Sequence, residues 1–349
     1  MATVVTPVPW KVLTKVYNEI QTEDLFLQKT LVPPSNVQKL LTEFVTYRIV
    51  RQPMSVASLG LPGDPPKQVN ISVKVEEVTH RVLQIFEEDQ VNVGQLAYDW
   101  RLDILNQGVL DSANDIAASL AALYTPKLTE LKNRLKRRLE LMFAQVLSTG
   151  KISYNDGVRN IEIDYGIPAA GNISFASNAH VLSDLKEAVD DFTRNFGMMP
   201  NIIIFSPDIV DAFLNNQQVE KFINRNTFGW GNIKPARVSG TTFYLGSFPE
   251  FGIPDIYVYQ GYYIDPTTGN KMPYLPDSRV IMTHTSIWNL AYGAIFDFEL
   301  EPSGRPIVTD VLVKESVVNR GTAKVITVLS KPLVYITNSY GIKVLEVTV

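Results

Sequence analysis

The chain has 349 residues, 45% of them hydrophobic and 19% charged, which is long and apolar enough for two or three packed domains and excludes a disordered polymer. The formal net charge of -4 argues against a dedicated nucleic-acid binder and leaves only a local basic face open. With no cysteine, disulfides, thiolate metal sites and cysteine nucleophiles are excluded.

Residues 1–10 show neither a basic start followed by an apolar core nor a small-residue cleavage site, and no apolar run reaches the length of a membrane span. The expectation is a chain made in the cytoplasm with no membrane partner. From Met1 to Leu41, proline clusters (Pro7, Pro9, Pro33, Pro34) alternate with short helical patches such as Val12 to Ile20. Trp10, Tyr17, Phe26 and Leu27 are too apolar to be left in water, so this arm needs a surface to lie on, a neighbouring subunit among the candidates. Phe44 to Val50 reads as a strand, and Val69, Ile71, Val73 and Val75 alternate on one face of another. Between them Pro53 to Gln68 carries Gly60, Pro62, Gly63, Pro65 and Pro66. A projecting two-stranded ribbon of this kind is marginal alone and asks for a partner.

Thr125 to Gly150 has the cleanest helical period, with Leu128, Leu131, Leu135, Leu139, Met142 and Val146 on one face. Thr125 is the expected cap, Pro126 the first helical residue and Gly150 the stop. The Ala-rich stretch from Ser112 to Tyr124 is helical too, so Pro126 marks either a kink or a break. Lys127, Lys132, Arg134, Lys136, Arg137 and Arg138 lie mostly off the apolar stripe. They read either as a solvated flank or as a surface for a polyanion or acidic partner.

Ile152 to Tyr154 and Val158 to Ile163 flank Asn155-Asp156-Gly157, a hairpin signal. Asp184 to Phe196 is an amphipathic helix stopped by Gly197. Asn201 to Phe205 is a strand apolar on both faces, and Ser206-Pro207-Asp208 opens helices over Ile209 to Leu214 and Val219 to Ile223, starting a second domain. Asn224 to Gly240 reads as a loop, followed by strands at Phe243 to Leu245, Ile256 to Tyr259, Tyr262 to Ile264 and Arg279 to Met282, with a turn at Pro266 to Gly269. After a polar connector at Glu299 to Pro306, Val308 to Val313 and Ala323 to Leu329 form a long hairpin, and Val334 to Thr337 and Ile342 to Val347 close the chain as strands.

No motif for catalysis emerges, and the expectation is no catalytic, cofactor-binding or metal-binding residue. His80, His180 and His284 are far apart and lack ligand spacing. Glu76-Glu77 and Glu87-Glu88-Asp89 offer paired carboxylates for glycoside chemistry, yet runs of this kind are normally solvated faces. Gly229-Trp230-Gly231 lacks the rest of a phosphate loop, Asp265 to Lys271 fits a hairpin turn better than a calcium loop, and Asn70 and Asn172 begin Asn-x-Ser triplets without a secretory signal.

Asn201-Ile202-Ile203-Ile204-Phe205-Ser206-Pro207-Asp208, Tyr257 to Met282 with Tyr274-Leu275-Pro276-Asp277, and Ser330-Lys331-Pro332-Leu333, together with the helix at 125–150, resemble the major capsid proteins of tailed bacteriophages, the lambda-type capsid protein E family in particular. The resemblance implies an α+β chain of the Hong Kong 97-type capsid fold. It implies an N-terminal arm at 1–43, an extended ribbon loop at 44–80, a peripheral domain at 81–198 and 302–349 that includes spine helix 125–150, and an axial domain at 199–301. It also implies assembly in the host cytoplasm into an icosahedral virion shell of pentamers and hexamers around double-stranded DNA. A separate scaffold, a portal and an optional cement protein would be the other partners. An encapsulin-like compartment of the same fold and a cytosolic hydrolase using the acidic pairs are the alternatives.

Overall fold

The computed structural model describes residues 10–50, 75–92, 113–155, 159–224, 236–318 and 323–349. The arm contains helix α1 (Trp10–Glu19) and the short helix α2 (Phe26–Leu31). Leu13, Tyr17, Phe26, Leu27 and Leu31 are all buried within the chain, so much of the apolar arm already has its cover. A three-residue strand, β1 (Val37–Lys39), precedes β2 (Phe44–Val50), which pairs antiparallel with β3 (Val75–Arg81) from Phe44↔Arg81 to Val50↔Val75. The ribbon tip Pro53 to Gln68 and the apolar row Val69, Ile71 and Val73 lie outside the described residues. So does Gly229-Trp230-Gly231.

Helix α3 (Ala113–Thr149) runs unbroken through Pro126. Thr125 therefore lies inside a helix and not at its start; its carbonyl accepts from Thr129 Oγ1 at 2.7 Å. A mid-helix proline costs about 3 kcal/mol, and tertiary burial outweighs it. Leu128, Leu131, Leu135, Leu139, Met142 and Val146 are all buried, each contributing about 1.5 to 3 kcal/mol. The stop is as expected: Gly150 has φ of 68° and donates its N–H to Val146 O at 2.9 Å.

Against α3 stand several sheets. The largest is seven-stranded, in the order β7 (Gly171–Ser174), β19 (Ile342–Thr348), β14 (Arg279–Thr283), β8 (Ile202–Phe205), β11 (Ile253–Tyr259), β10 (Thr242–Phe248) and β9 (Ala236–Arg237). Its middle strand, β8, is buried at every position, as a strand apolar on both faces must be. Helix α4 (Val181–Phe196) packs its Leu182, Leu185, Val189 and Phe192 face on this sheet and ends at Gly197, whose φ is 91°. Pro207 opens a short 3-10 turn into α5 (Val210–Leu214), and α6 (Gln217–Asn224) follows.

A three-stranded antiparallel sheet joins β16 (Leu312–Val318), β17 (Ala323–Ser330) and β4 (Ile85–Asn92). Another joins β1, β15 (Trp288–Tyr292) and β18 (Pro332–Ile336). Two hairpins complete the described chain: β5 (Lys151–Asn155) with β6 (Asn160–Asp164), and β12 (Tyr262–Ile264) with β13 (Lys271–Pro273). The tip of the first, residues 156–158, lies outside the described residues.

The strand pairing corrects one expectation and places two other stretches. The strand expected at Val308 to Val313 begins at Leu312 instead. Asp310 accepts the Val311 N–H at 3.1 Å and Thr309 Oγ1 donates to the Val311 carbonyl at 2.9 Å, a local side-chain turn that holds the backbone out of the ladder. Glu87 to Asp89 form the middle of β4, paired to β17; Glu88 faces solvent as expected, and Glu87 and Asp89 are half-buried. Strands β7 and β19 lie in the same sheet as β8, β10, β11 and β14. Ile342, Val344, Leu345 and Val347 are buried from both faces, so β19 needs neighbours on both edges and finds them in β14 and β7.

Candidate assembly surfaces

The cations of the long helix are committed within the chain. Lys132, Lys136 and Glu140 recur at four-residue intervals on one side of α3, which lines them up along its axis. Lys132 Nζ donates to the carbonyls of Tyr17, Asn18 (3.1 Å) and Ile20 (2.9 Å), the free C-terminal acceptors of α1. Lys136 donates to Thr22 Oγ1. Glu140, fully buried, accepts the N–H groups of Leu27 (2.9 Å) and Gln28 (3.2 Å) at the start of α2, and the Tyr259 hydroxyl of β11 at 2.9 Å. Burial raises its carboxyl above the usual range, with those donors pulling the other way.

Each arm helix thus meets the charge that suits its dipole, a cation at the C-terminal end of α1 and a carboxylate at the N-terminal end of α2. The remaining cations follow suit. Lys127 pairs with Asp89 at 2.7 Å and Arg134 with Glu87 at 2.9 Å, fastening β4 to the helix. Arg137 holds Glu23 of the arm and Glu130. Arg138 lies over the Tyr154 ring, 5.0 Å from its centroid. Neither reading of this flank survives intact: it is mainly an internal clamp. Glu140 is absent from the sequence reading, although its four-residue spacing from Lys136 and Lys132, beside the apolar stripe, was a signal for it.

The root of the ribbon is anchored as well. Val45, Tyr47 and Ile49 of β2 are buried, and the Tyr47 ring stacks on Tyr335 of β18 at 4.8 Å. Glu43 holds Arg81 of β3 at 2.8 Å and also Lys331, between β17 and β18. The Lys331 hydrogen bond and the Arg81 contact keep the Glu43 carboxyl below its usual range. Gly293 leaves room for Val82 here, since a Cβ would come within 2.5 Å of Val82 Cγ2.

Other apolar groups face solvent. Phe86 and Phe296 border a groove of about 370 Å³ on the outer face of the β16-β17-β4 sheet, floored by Leu312 and Leu329, with Lys314 bridging Asp297 (2.7 Å) and Glu299 (2.8 Å). Phe298 nearby is 74% exposed, and Tyr262, Ile264 and Met272 are exposed on the β12–β13 hairpin.

The residues screened for chemistry stay apart. His80 sits against Tyr47, His284 Nδ1 accepts from the Ser286 N–H at 3.2 Å, and His180 precedes α4. Glu77 pairs with Arg48 across the ribbon at 3.5 Å. Asp265 accepts from Thr267 N and Thr268 Oγ1, the bonds of a hairpin turn. Among the described residues no cluster of three or more His, Asp or Glu is arranged to hold a metal ion, and no helix is long and apolar enough to cross a membrane.

Comparison with known proteins decides what these surfaces belong to. The family model described as phage major capsid protein E matches residues 10–342. The chain belongs to the phage major capsid protein E family. It is a shell-forming major capsid protein. Its fold is similar to that of a protein assigned as the capsid protein of a prophage in E. coli CFT073, at a TM-score of 0.68 and 16% identity, covering 99% of this chain and 100% of that one. A phage-related protein from Bordetella bronchiseptica RB50 matches at a TM-score of 0.49 and 11% identity, over 98% of this chain and 97% of that one. A virus-like particle protein from Pyrococcus furiosus matches at 0.46 and 15%, over 96% of each chain. At 16% identity the prophage match speaks for the fold alone, and that fold is the Hong Kong 97 type. No match is found among curated protein sequences.

Proposed function

We propose that this capsid protein builds an icosahedral virion shell of pentamers and hexamers around a double-stranded DNA genome, without catalysis. Assembly would take place in the host cytoplasm on a separate scaffold protein, with a portal at one vertex and room for a cement protein. The family match over residues 10–342 carries the reading. Apolar side chains left exposed on the sheet face and the β12–β13 hairpin support it, since surfaces of this kind mark protein contacts. DNA would be held by volume and charge balance, as the helix cations that suggested a polyanion site already have intramolecular partners.

In domain terms we keep the arm at 1–43, the ribbon at 44–80 and a peripheral domain around α3. The shared seven-stranded sheet supports extending the axial domain from 199–301 to take in β7, α4 and β19. The ribbon tip is assigned to contacts between copies. Its replacement by a short Gly/Ser turn is expected to leave folded subunits that fail to close shells, because the root keeps its own anchors on Tyr335 and Lys331.

Electron microscopy of the expressed protein tests the shell reading. Closed particles are expected, and nuclease-protected DNA in particles from infected or induced cells separates a genome container from an encapsulin-like compartment. A monomer or dimer under all assembly conditions would overturn it.

A further inference from the structure

The arm touches more than the spine helix. On one side, Thr14 of α1 accepts the backbone N–H of Val313 in β16 at 3.2 Å, and α1 packs along that strand of the three-stranded sheet. On the other, Phe26 of α2 meets the rings of Tyr257 and Tyr259 in β11, at 5.2 and 6.3 Å between centroids, within the seven-stranded sheet. Between these contacts the arm crosses α3, where Lys132 seizes the end of α1 and Glu140 the start of α2. The two charges stand eight residues apart, about 12 Å along the helix axis.

Glu140 is the point where three elements meet. It belongs to α3, binds the backbone of α2 and receives the hydroxyl of Tyr259 from β11. A fully buried carboxylate is retained only where its acceptor sites are filled. Here they are filled by groups from the arm and from the large sheet at once, so a shift of either against the helix leaves part of the buried carboxylate unsatisfied.

We infer that residues 10–31 act as an intramolecular strap that sets the angle between the three-stranded and seven-stranded sheets, with Glu140 as its positioning residue. The consequence, which rests on the shell-forming reading, is that this strap governs the curvature of the subunit and hence the uniformity of shell diameter. Lys132 sets the position of α1 and Glu140 that of α2 and β11, so the strap has one register. Because the anchors bind backbone groups at helix ends, they hold only while both arm helices are formed.

The test uses full-length subunits and shells. In Glu140→Ala, amides 24–31 are expected to exchange at least tenfold faster while those of β8 and β14 keep wild-type protection, and assembled shells are expected to spread over more than one diameter. Tyr259→Phe is expected to keep the Leu27 and Gln28 amides protected yet to broaden the shell diameters, separating the bond to the sheet from the bond to the arm. If Glu140→Ala does not fold, Glu140→Gln serves in its place, since its amide nitrogen would face the donor at Gln28. Unchanged arm exchange in the Glu140 variant overturns the strap, and faster exchange with an unchanged single diameter overturns its role in shell geometry. Failure of the wild-type chain to form any shell would count against the shell reading, and arm exchange would then still decide the strap.

Discussion

At the scale of single residues, two carboxylates shift in opposite directions and predict opposite pH responses. Lys331 and Arg81 lower the Glu43 carboxyl, so its contribution to the ribbon root is present above the ordinary carboxylate range and lost as pH falls through the lowered value. Burial raises Glu140, so the folded state binds that proton more readily. Its contribution is full below the ordinary range and declines as pH rises through the raised value. Protection factors for residues 44–49 should fall on acidification and those for 26–31 on alkalinisation, with Lys331→Met flattening the first profile and Glu140→Gln the second. Gly150 gives a sharper single-site prediction. Its φ is 68° and an added Cβ would lie 2.4 Å from Ile167 Cγ1, so Gly150→Ala is expected to destabilise the subunit by about 1 to 3 kcal/mol in denaturant titration. No loss would mean that the helix end relaxes freely.

At the scale of elements, α3 continues through a residue that should stop it. If burial alone sustains the helix at Pro126, then Pro126→Ala restores a backbone hydrogen bond and should stabilise the subunit by about 1 to 3 kcal/mol. A destabilised variant would show that neighbouring elements are fitted to a bend at this point. The basic flank gives the complementary prediction. Arg134 and Arg137 hold Glu87 and Glu23, and Arg138 covers Tyr154, so reversing all three to Glu should loosen β4 and the arm. The midpoint of unfolding should drop and protease should cut near residues 20–25 before any effect on DNA retention is seen. Lost DNA from shells with unchanged subunit stability would restore the polyanion reading.

At the scale of the whole molecule, the shell is expected to be held without covalent links and to keep its arm. Asn338 accepts the Tyr340 N–H through its side-chain oxygen at 2.9 Å, a structural task that occupies one end of its amide. Lys67, the other half of a conceivable isopeptide bond, lies outside the described residues. Boiled shells should run as a single band near the 39.1 kDa of one chain. Intact mass should show the arm retained, because its docked helices are part of the core. Ladders on the gel, or a mass short by tens of N-terminal residues, would contradict this.

The amino-acid sequence by itself determined the elements whose periodicity is local: the 128–146 stripe, the Asp184 to Phe196 helix with its glycine stop, the apolar strand at Ile202 to Phe205 and the first ribbon strand at Phe44 to Val50. In each, neighbours three, four or two residues apart carry the signal. The resemblance in the second half of the chain added the fold and the shell. Only the tertiary structure decided where charged residues and pairings of distant segments belong. Glu87 and Asp89 look solvated until Arg134 and Lys127 arrive from the helix, 47 and 38 residues away respectively. Strand β19 is legible as a strand from its own residues, but only the fold supplies β14 and β7 at its two edges. Glu140 is an ordinary helix residue in sequence, and it becomes the meeting point of arm, spine and sheet because its partners, Leu27, Gln28 and Tyr259, lie more than a hundred residues away along the chain. Partner choice over such distances depends on which surfaces pack together, and no local pattern records it.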